Sequence, residues 1–193
     1  MKKILPIIVA SLLLGVYLIL SLTVFPSLYL SKEIPVPQPF FEVKISNSSI
    51  SLRESFDVDI FSKNIGDYGD IHILSVGFPS IDKITDEVKV INSDFNHQYR
   101  LIEKNTLIGS KYSAGVQKVE SQYALIEIMN SPSPPNGNYD FRLSVTPKNT
   151  GLFEIYVKVI EIPHTSELSH LPRQGLLDPQ GEYVAVYSAM VNP

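Results

Sequence analysis

The 193-residue sequence contains no cysteine and no tryptophan, and only 10 of its residues are glycine. Without cysteine there is no disulfide framework, so an exported domain must be stabilised by its own core. The sequence also lacks a glycine-rich phosphate loop and a Gly-x-Ser-x-Gly nucleophile elbow. It therefore predicts no cofactor and no enzyme, although the acid pairs that cleave glycosides carry no sequence motif.

Basic residues are also scarce beyond the first 39 positions. Residues 40–193 contain 13 Lys and Arg against 19 Asp and Glu, a net charge of −6. Such a charge repels phosphate groups, and affinity for nucleic acid depends on neutralising them. We therefore expect no nucleic-acid partner and no binding to an anionic lipid surface.

One long uncharged segment, residues 4–30, is dominated by Leu, Ile and Val. As a helix it would measure roughly 40 Å at about 1.5 Å per residue, whereas about 20 apolar residues cross a bilayer. Lys2 and Lys3 precede it and favour a cytoplasmic N-terminus. The sequence therefore predicts a single-pass cell-membrane protein with one N-terminal transmembrane signal-anchor helix and an extracytoplasmic C-terminal domain.

A cleaved signal peptide is the alternative interpretation of this segment. The apolar region of a secretory signal is usually about 7–15 residues long and ends at a small-x-small cleavage site. Here the apolar run is longer, and it ends in the bulky sequence from Phe25 to Leu30. The pattern favours a retained anchor over cleavage.

Three segments follow from this interpretation. Residues 1–31 are the cytoplasmic tip and membrane helix, residues 32–39 are a linker, and residues 40–193 are the extracytoplasmic domain. Prolines at alternate positions in 34–39 favour extended polyproline geometry, which makes a semi-rigid spacer.

Beyond residue 40, apolar and polar residues alternate with a period of two, the pattern of strands with one buried face. The alternation is clearest in 56–61, 139–146 and 153–159. Further strands are predicted at 41–46, 71–77, 86–91, 121–129 and 182–191. Eight short strands without an amphipathic helix predict an all-β, antiparallel sandwich. Segment 92–118 is compatible with loops, a short helix or an extra hairpin.

Two stretches carry a family resemblance. Asn149-Thr-Gly-Leu-Phe-Glu-Ile155 resembles the Asp-x-Gly-x-Tyr-x-Cys pattern of immunoglobulin F strands, with Phe153 and Ile155 in the tyrosine and cysteine places. The stretch from Ser55 to Asp67 resembles the strand-then-Asn-x-Gly element of microbial immunoglobulin-like domains in membrane-anchored surface proteins. Phe153 lacks the hydroxyl of a tyrosine corner. The resemblance implies an immunoglobulin-like β-sandwich and no active site.

The sequence offers one candidate metal site. His164 and His170 lie six residues apart with Glu167 between them, and imidazole and carboxylate groups bind zinc or copper. The spacing matches no tight metal motif, so exposed loop histidines are the favoured interpretation.

The loop 163–181 is the candidate partner-binding segment. It is 19 residues long, and loops above about 12–15 residues in a compact domain are usually functional or disordered. It either packs over the edge of the sandwich or presents an apolar contact surface. Its four leucines are the candidate contact residues: Leu168, Leu171, Leu176 and Leu177.

Three functional hypotheses follow. The first is an extracytoplasmic binding or assembly module, an accessory component that contacts another membrane or envelope protein. The second is a copper- or zinc-carrying subunit of a redox complex that uses His164 and His170. The third is a structural cell-surface protein.

Overall fold

The computed structural model describes residues 5–24, 36–81, 83–109, 118–163, 171–172, 174–179 and 181–193. The chain forms two compact units, residues 1–34 and residues 35–193.

The first unit contains a short helix. Helix α1 (Leu5–Ile19) has 15 residues and is followed by a π-helical stretch, Leu20–Val24. The π-type hydrogen bonds end the regular helix before the apolar run ends, so α1 measures about 22 Å against a hydrocarbon core of about 30 Å. No helix among the described residues is long and apolar enough to cross a membrane. The predicted transmembrane helix is therefore wrong, and so is the cell-membrane localisation derived from it.

The second unit is a two-sheet β-sandwich, as predicted. Its strands are β1 (Pro39–Ile45), β2 (Ser49–Ser51), β3 (Phe56–Asn64), β4 (Gly69–Phe78), β5 (Val88–Ser93), β6 (Arg100–Ile102), β7 (Leu107–Gly109), β8 (Lys118–Glu120), β9 (Ala124–Asn130), β10 (Asn138–Val145), β11 (Gly151–Pro163), β12 (Leu176–Leu177) and β13 (Tyr183–Asn192). A single helical turn, α2 (Ile84–Glu87), precedes β5.

The strand order is that of an immunoglobulin-like domain. The smaller sheet has the order β1-β3-β10-β5, and the larger has the order β12-β13-β11-β4-β9-β6. Constant-type immunoglobulin domains place strands A, B, E and D in one sheet and C, F and G in the other. In chain order β1, β3, β4, β5, β10, β11 and β13 match A to G. The immunoglobulin-like sandwich inferred from the sequence is confirmed by this arrangement.

The core consists of the inner side chains of both sheets, because every second residue of each strand faces the opposite sheet. Strand β3 alternates buried and half-buried residues along its whole length. The largest fully buried side chains are Phe56, Phe78, Phe141, Ile60, Ile73, Leu74, Ile81, Ile84, Ile126, Ile128, Leu143 and Ile155. Phe153, in the tyrosine place of the F-strand motif, packs edge-on against Phe56.

Where the structure describes segment 92–118, that segment adds two short pieces of sheet beyond the end of β5. Strand β6 pairs with β9 at the margin of the larger sheet, and β7 pairs with β8 as a separate ribbon. Ile102 of β6 joins Tyr123 and Leu125 in a small apolar cluster with Tyr156. These residues lie on the outer face of the larger sheet, which is therefore partly covered on both sides.

Residues 36–38, assigned to the linker from sequence, are bonded to the domain. Gln38 N donates to Asn64 Oδ1 (3.0 Å). Val36 O and Gln38 O accept from Asp67 N and Ile65 N at 3.0 and 2.9 Å. Gly66 has no Cβ to displace this segment, since one there would lie 2.5 Å from Val36 O.

Candidate functional site

The predicted metal ligands His164, Glu167 and His170 lie outside the described residues, and so does Leu168. The metal site therefore stays a prediction. Within the ranges that the structure describes, no group of three or more His, Asp or Glu side chains is arranged to hold a metal ion.

The backbone of Leu171, within the predicted loop, is hydrogen-bonded to β11. Its backbone N–H donates to Glu161 O, and Glu161 N donates to Leu171 O, both at 3.0 Å. The Leu171 side chain is partly buried. This leucine therefore belongs partly to the body of the domain.

Leu176 and Leu177 form β12, a two-residue strand at the margin of the larger sheet. They pair with Val184 and Tyr183 of β13. Their side chains are 66% and 61% exposed. The sequence left open whether the loop packs on the sandwich or presents apolar groups to solvent, and these two leucines do the latter.

The base of the same loop is held by a buried carboxylate. Asp178 Oδ2 accepts hydrogen bonds from the Tyr123 hydroxyl and from Lys158 Nζ, the latter at 3.4 Å. Asp178 Oδ1 accepts from Glu182 N (2.9 Å). Burial, and secondarily the contact with Asp178, raises the pKa of Tyr123 well above its usual value near 10, so its hydroxyl keeps its proton and donates. The hydrogen bonds of Asp178 therefore hold the segment that carries the exposed Leu176 and Leu177 in a fixed position.

The exposed side chain of Leu176 continues a row of apolar residues on the outer face of the larger sheet. Paired residues of antiparallel strands point to the same face, and every second residue of β13 does so too. Leu176 lies opposite Val184, and Met190 lies opposite Leu152. We call this row the β13 stripe; its members are Leu152, Leu176, Val184, Val186 and Met190. Ser188, which shares their face, interrupts the row between Val186 and Met190. Four of them are between 42% and 66% exposed, and Val184 is partly buried.

A second polar arrangement, which no sequence motif indicated, lies inside the sandwich. His72 Nδ1 is 2.5 Å from Glu161 Oε1, and His72 Nε2 is 3.0 Å from Ser62 Oγ. Ser133 Oγ donates to the same Glu161 oxygen (3.0 Å). All four side chains are fully buried. The Tyr139 ring packs on the imidazole with centroids 4.8 Å apart. The cluster thus joins β3 of the smaller sheet to β4 and β11 of the larger one.

The chain of contacts from Ser62 through His72 to Glu161 has the order of a serine–histidine–acid triad. A triad acts only when a substrate reaches the serine oxygen, and Ser62 is 0% exposed. What this arrangement can do is cross-link the two sheets. Period-two alternation predicts only that these residues face the core, because it places His72 on the same face as Leu74 and Val76 and Glu161 on the same face as Val159. It does not predict that the two side chains meet.

The smaller sheet carries an open groove of about 540 Å³ on its outer face. Its lining includes Glu42, Lys44, Asp140 and the ion pair of Arg142 with Asp59. Both members of this pair are largely exposed. Exposed ion pairs contribute little energy because water screens them. Six of its nine lining residues are charged or polar, whereas the members of the β13 stripe are all apolar.

No protein-family model matches the chain, and no curated protein matches it either. Similar solved structures include the CARDB domain of a Pyrococcus furiosus protein in complex with di-metal ions. It is 11% identical, with 82% of this chain and 94% of that domain covered and a TM-score of 0.40.

Two cohesin modules are also similar. One, from a Clostridium perfringens family 33 glycoside hydrolase, is 9% identical, with 82% of this chain and 98% of the module covered and a TM-score of 0.36. The other, from a Clostridium thermocellum cohesin–dockerin complex, is 9% identical, with 79% and 99% covered and a TM-score of 0.38. At this level of similarity the fold class rests on the strand order described above.

Proposed function

We propose that residues 35–193 form a non-catalytic binding or assembly domain whose contact surface is the β13 stripe. The observation that carries this proposal is the row of exposed apolar side chains on one face of the sheet margin, centred on Val186. Several exposed apolar side chains on one face mark an interaction site, whereas single exposed apolar residues are ordinary. The partner we propose is another protein.

The anchored loop supports this assignment. Leu176 projects from a segment whose base is fixed by Asp178, Tyr123 and Lys158. A surface that is already ordered loses less conformational entropy on binding. The buried carboxylate of Asp178 therefore contributes to binding by holding Leu176 in place.

The proposal assigns no catalytic role to Ser62, His72 or Glu161. Their side chains have no exposed area, so a substrate carbonyl could reach the serine only after the sheets had separated. A general base must lie within hydrogen-bond reach of the proton that it abstracts in a feasible substrate pose. We assign these residues to the stability of the sandwich instead.

The test is affinity purification of the full chain from extracts of its native cell, comparing three forms. We expect the native chain to retain a partner that the double variant Leu176→Gln, Val186→Thr loses, because both changes keep size but make the stripe polar. Leu107→Gln is the matched control: Leu107 is also 58% exposed but lies on β7, outside the stripe. A partner retained by the double variant would refute the stripe as the contact surface.

The same experiment separates the two faces of β12. Leu177 pairs with Tyr183 and points to the face opposite Leu176. Leu177→Gln should retain the partner if the stripe alone makes the contact. Loss with Leu177→Gln but not with the stripe variant would move the contact surface to the other face.

A further inference from the structure

The margin of the larger sheet is interrupted. One edge of β13 pairs with β11 over residues 185–191. The other edge pairs with β12 at residues 183–184 and with β2 at residues 190–192. Among the described residues, no strand pairs with 185–189 on that second edge. This gap, which we call the edge slot, is about 17 Å long at about 3.4 Å per residue.

Backbone hydrogen-bonding groups point into the edge slot. Met190 N donates to Ser48 O, and Asn192 O accepts from Leu52 N, both at 2.8 Å and both on this edge. In an antiparallel pair, alternate residues turn their N–H and C=O groups away from the partner strand. Val186 and Ser188 share the parity of Met190, so each presents one donor and one acceptor to the slot.

A second copy of this chain does not fit the slot. Two β13 strands paired about Tyr187 would bring Val184 of one copy opposite Met190 of the other. On this edge, however, Val184 already pairs with β12, and Met190 already pairs with β2. These flanking strands would occupy the same space as the second copy's β13. The slot therefore takes only a short segment that turns away at both ends.

The side chains around the slot define the outer face of that segment. Val186 lies within the slot, while Leu176 and Met190 stand at its two ends on the same outer face. Side chains of a strand added to a sheet alternate between faces and contact their cross-strand neighbours. An occupant would therefore place apolar, preferably β-branched, residues at alternate positions against Val186.

We propose that the edge slot binds an extended segment of four or five residues from a partner protein, which adds to the larger sheet as a strand. Main-chain hydrogen bonds to Val186 and Ser188 supply affinity, and the β13 stripe selects alternate apolar side chains, as in other cases of strand addition. This inference rests on the proposed function and names the class of partner for the same surface.

The experiment selects random heptapeptides displayed on phage against the immobilised full chain. We expect enriched peptides with apolar residues at every second position. The strongest is then synthesised twice, once unmodified and once N-methylated at alternate residues on the slot-facing side. N-methylation removes backbone donors without changing side chains, so we expect affinity to fall by about 5- to 150-fold for two lost bonds. Equal affinity of the two peptides would overturn the proposal.

Ser188→Pro tests the same bond from the protein side. Ser188 N–H points away from β11, so proline removes a slot donor and leaves the β11 pairing intact. We expect the unmodified peptide to bind this variant about two- to twelvefold more weakly. Circular dichroism checks the fold, and the N-methylated peptide keeps the test valid if the variant unfolds.

The outcomes separate strand addition from the proposed function. One outcome is that the peptide and the native partner bind Ser188→Pro as they bind the native chain, but do not bind the Leu176→Gln, Val186→Thr variant. The stripe then binds a partner without strand addition, and only strand addition is refuted. If neither variant affects the native partner, the proposed function fails as well. Dimers of the full chain that Ser188→Pro abolishes would show that a second copy fills the slot and would also overturn the inference.

Discussion

At the scale of single residues, the buried pair of His72 and Glu161 has the largest consequence. Both side chains are completely buried, and Glu161 Oε2 has no donor among the described residues. Removing one member of a buried ionisable pair costs far more than the pair contributes, because the other is left without compensation. The carboxyl group therefore depends on the imidazole and on Ser133.

We predict that His72→Leu lowers the free energy of unfolding by about 3–5 kcal/mol, because Glu161 then loses its hydrogen-bonded partner in the core. The double variant His72→Leu, Glu161→Leu should lose less free energy of unfolding than the two single variants lose together. The difference, which is the coupling energy, should be about 0.5–3 kcal/mol. Urea unfolding of the full chain measures all three variants. Strict additivity would show that the two side chains act independently. His72→Leu combined with Leu152→Ala, a residue outside the cluster, should be additive.

At the scale of elements, alternation decides which strands form. Strand β11 shows this clearly, since Ile155 is 0% exposed and Leu152 is 58% exposed. The two residues are three positions apart and therefore lie on opposite faces. Ile155 and Leu152 are both apolar, but only Ile155 is removed from water on folding.

We predict that Ile155→Ala lowers the free energy of unfolding by about 2–5 kcal/mol, through lost burial and a residual cavity. Leu152→Ala removes a similar side chain from the same strand and should change it by less than about 0.5 kcal/mol. Chemical denaturation of the full chain gives both values. A similar loss for both variants would mean that Ile155 and Leu152 do not lie on opposite faces of β11.

The same alternation explains how much of the fold could be predicted from sequence. Each of the eight strands inferred from a period of two corresponds to a strand of the sandwich, because the pattern records burial of one face. Strands β2 and β12 have three and two residues and form only because β13 offers them an edge. No local pattern of that length can predict them. The end of α1 was missed for a related reason: composition shows an apolar run but not where its hydrogen bonding changes.

The polar contacts could not be predicted, because their members are distant in the sequence. His72 and Glu161 are 89 residues apart, and Tyr123 and Asp178 are 55 apart. Their pairing follows from strand register, which sequence alternation constrains only by face. Of the loop residues predicted to bind a partner, Leu176 and Leu177 are exposed, Leu171 is partly buried, and Leu168 lies outside the described residues.

At the scale of the whole molecule, residues 35–193 hold one main core between the two sheets, and the sequence has no cysteine to form a disulfide. Two residues at its start, Val36 and Gln38, are hydrogen-bonded to the end of β3 and the turn that follows it, and Pro37 between them is buried. A boundary placed at residue 40 from the sequence omits these contacts. The start of the domain therefore matters for its stability as an isolated fragment.

We predict that residues 35–193 expressed alone fold as a β domain, and that residues 40–193 are less stable by about 1.5–4.5 kcal/mol, for three lost hydrogen bonds. The shorter fragment loses the hydrogen bonds that Val36 and Gln38 make, each with a net value of about 0.5–1.5 kcal/mol. Circular dichroism and urea unfolding of the two fragments make the comparison. Equal midpoints would show that residues 36–38 contribute nothing.

The strand directions give the sandwich a mechanical polarity. Pro39 begins β1 beside Asn64 at one end of the sandwich, whereas Asn192 ends β13 beside Ser51 at the opposite end. Tension between these two points runs along the strands. It slides β1 against β3 and β13 against β11, and each of these ladders contains seven residue pairs that are loaded together. Such a geometry resists the pulling apart of these two points, since the bonds of each ladder are loaded together and no ladder opens one bond at a time.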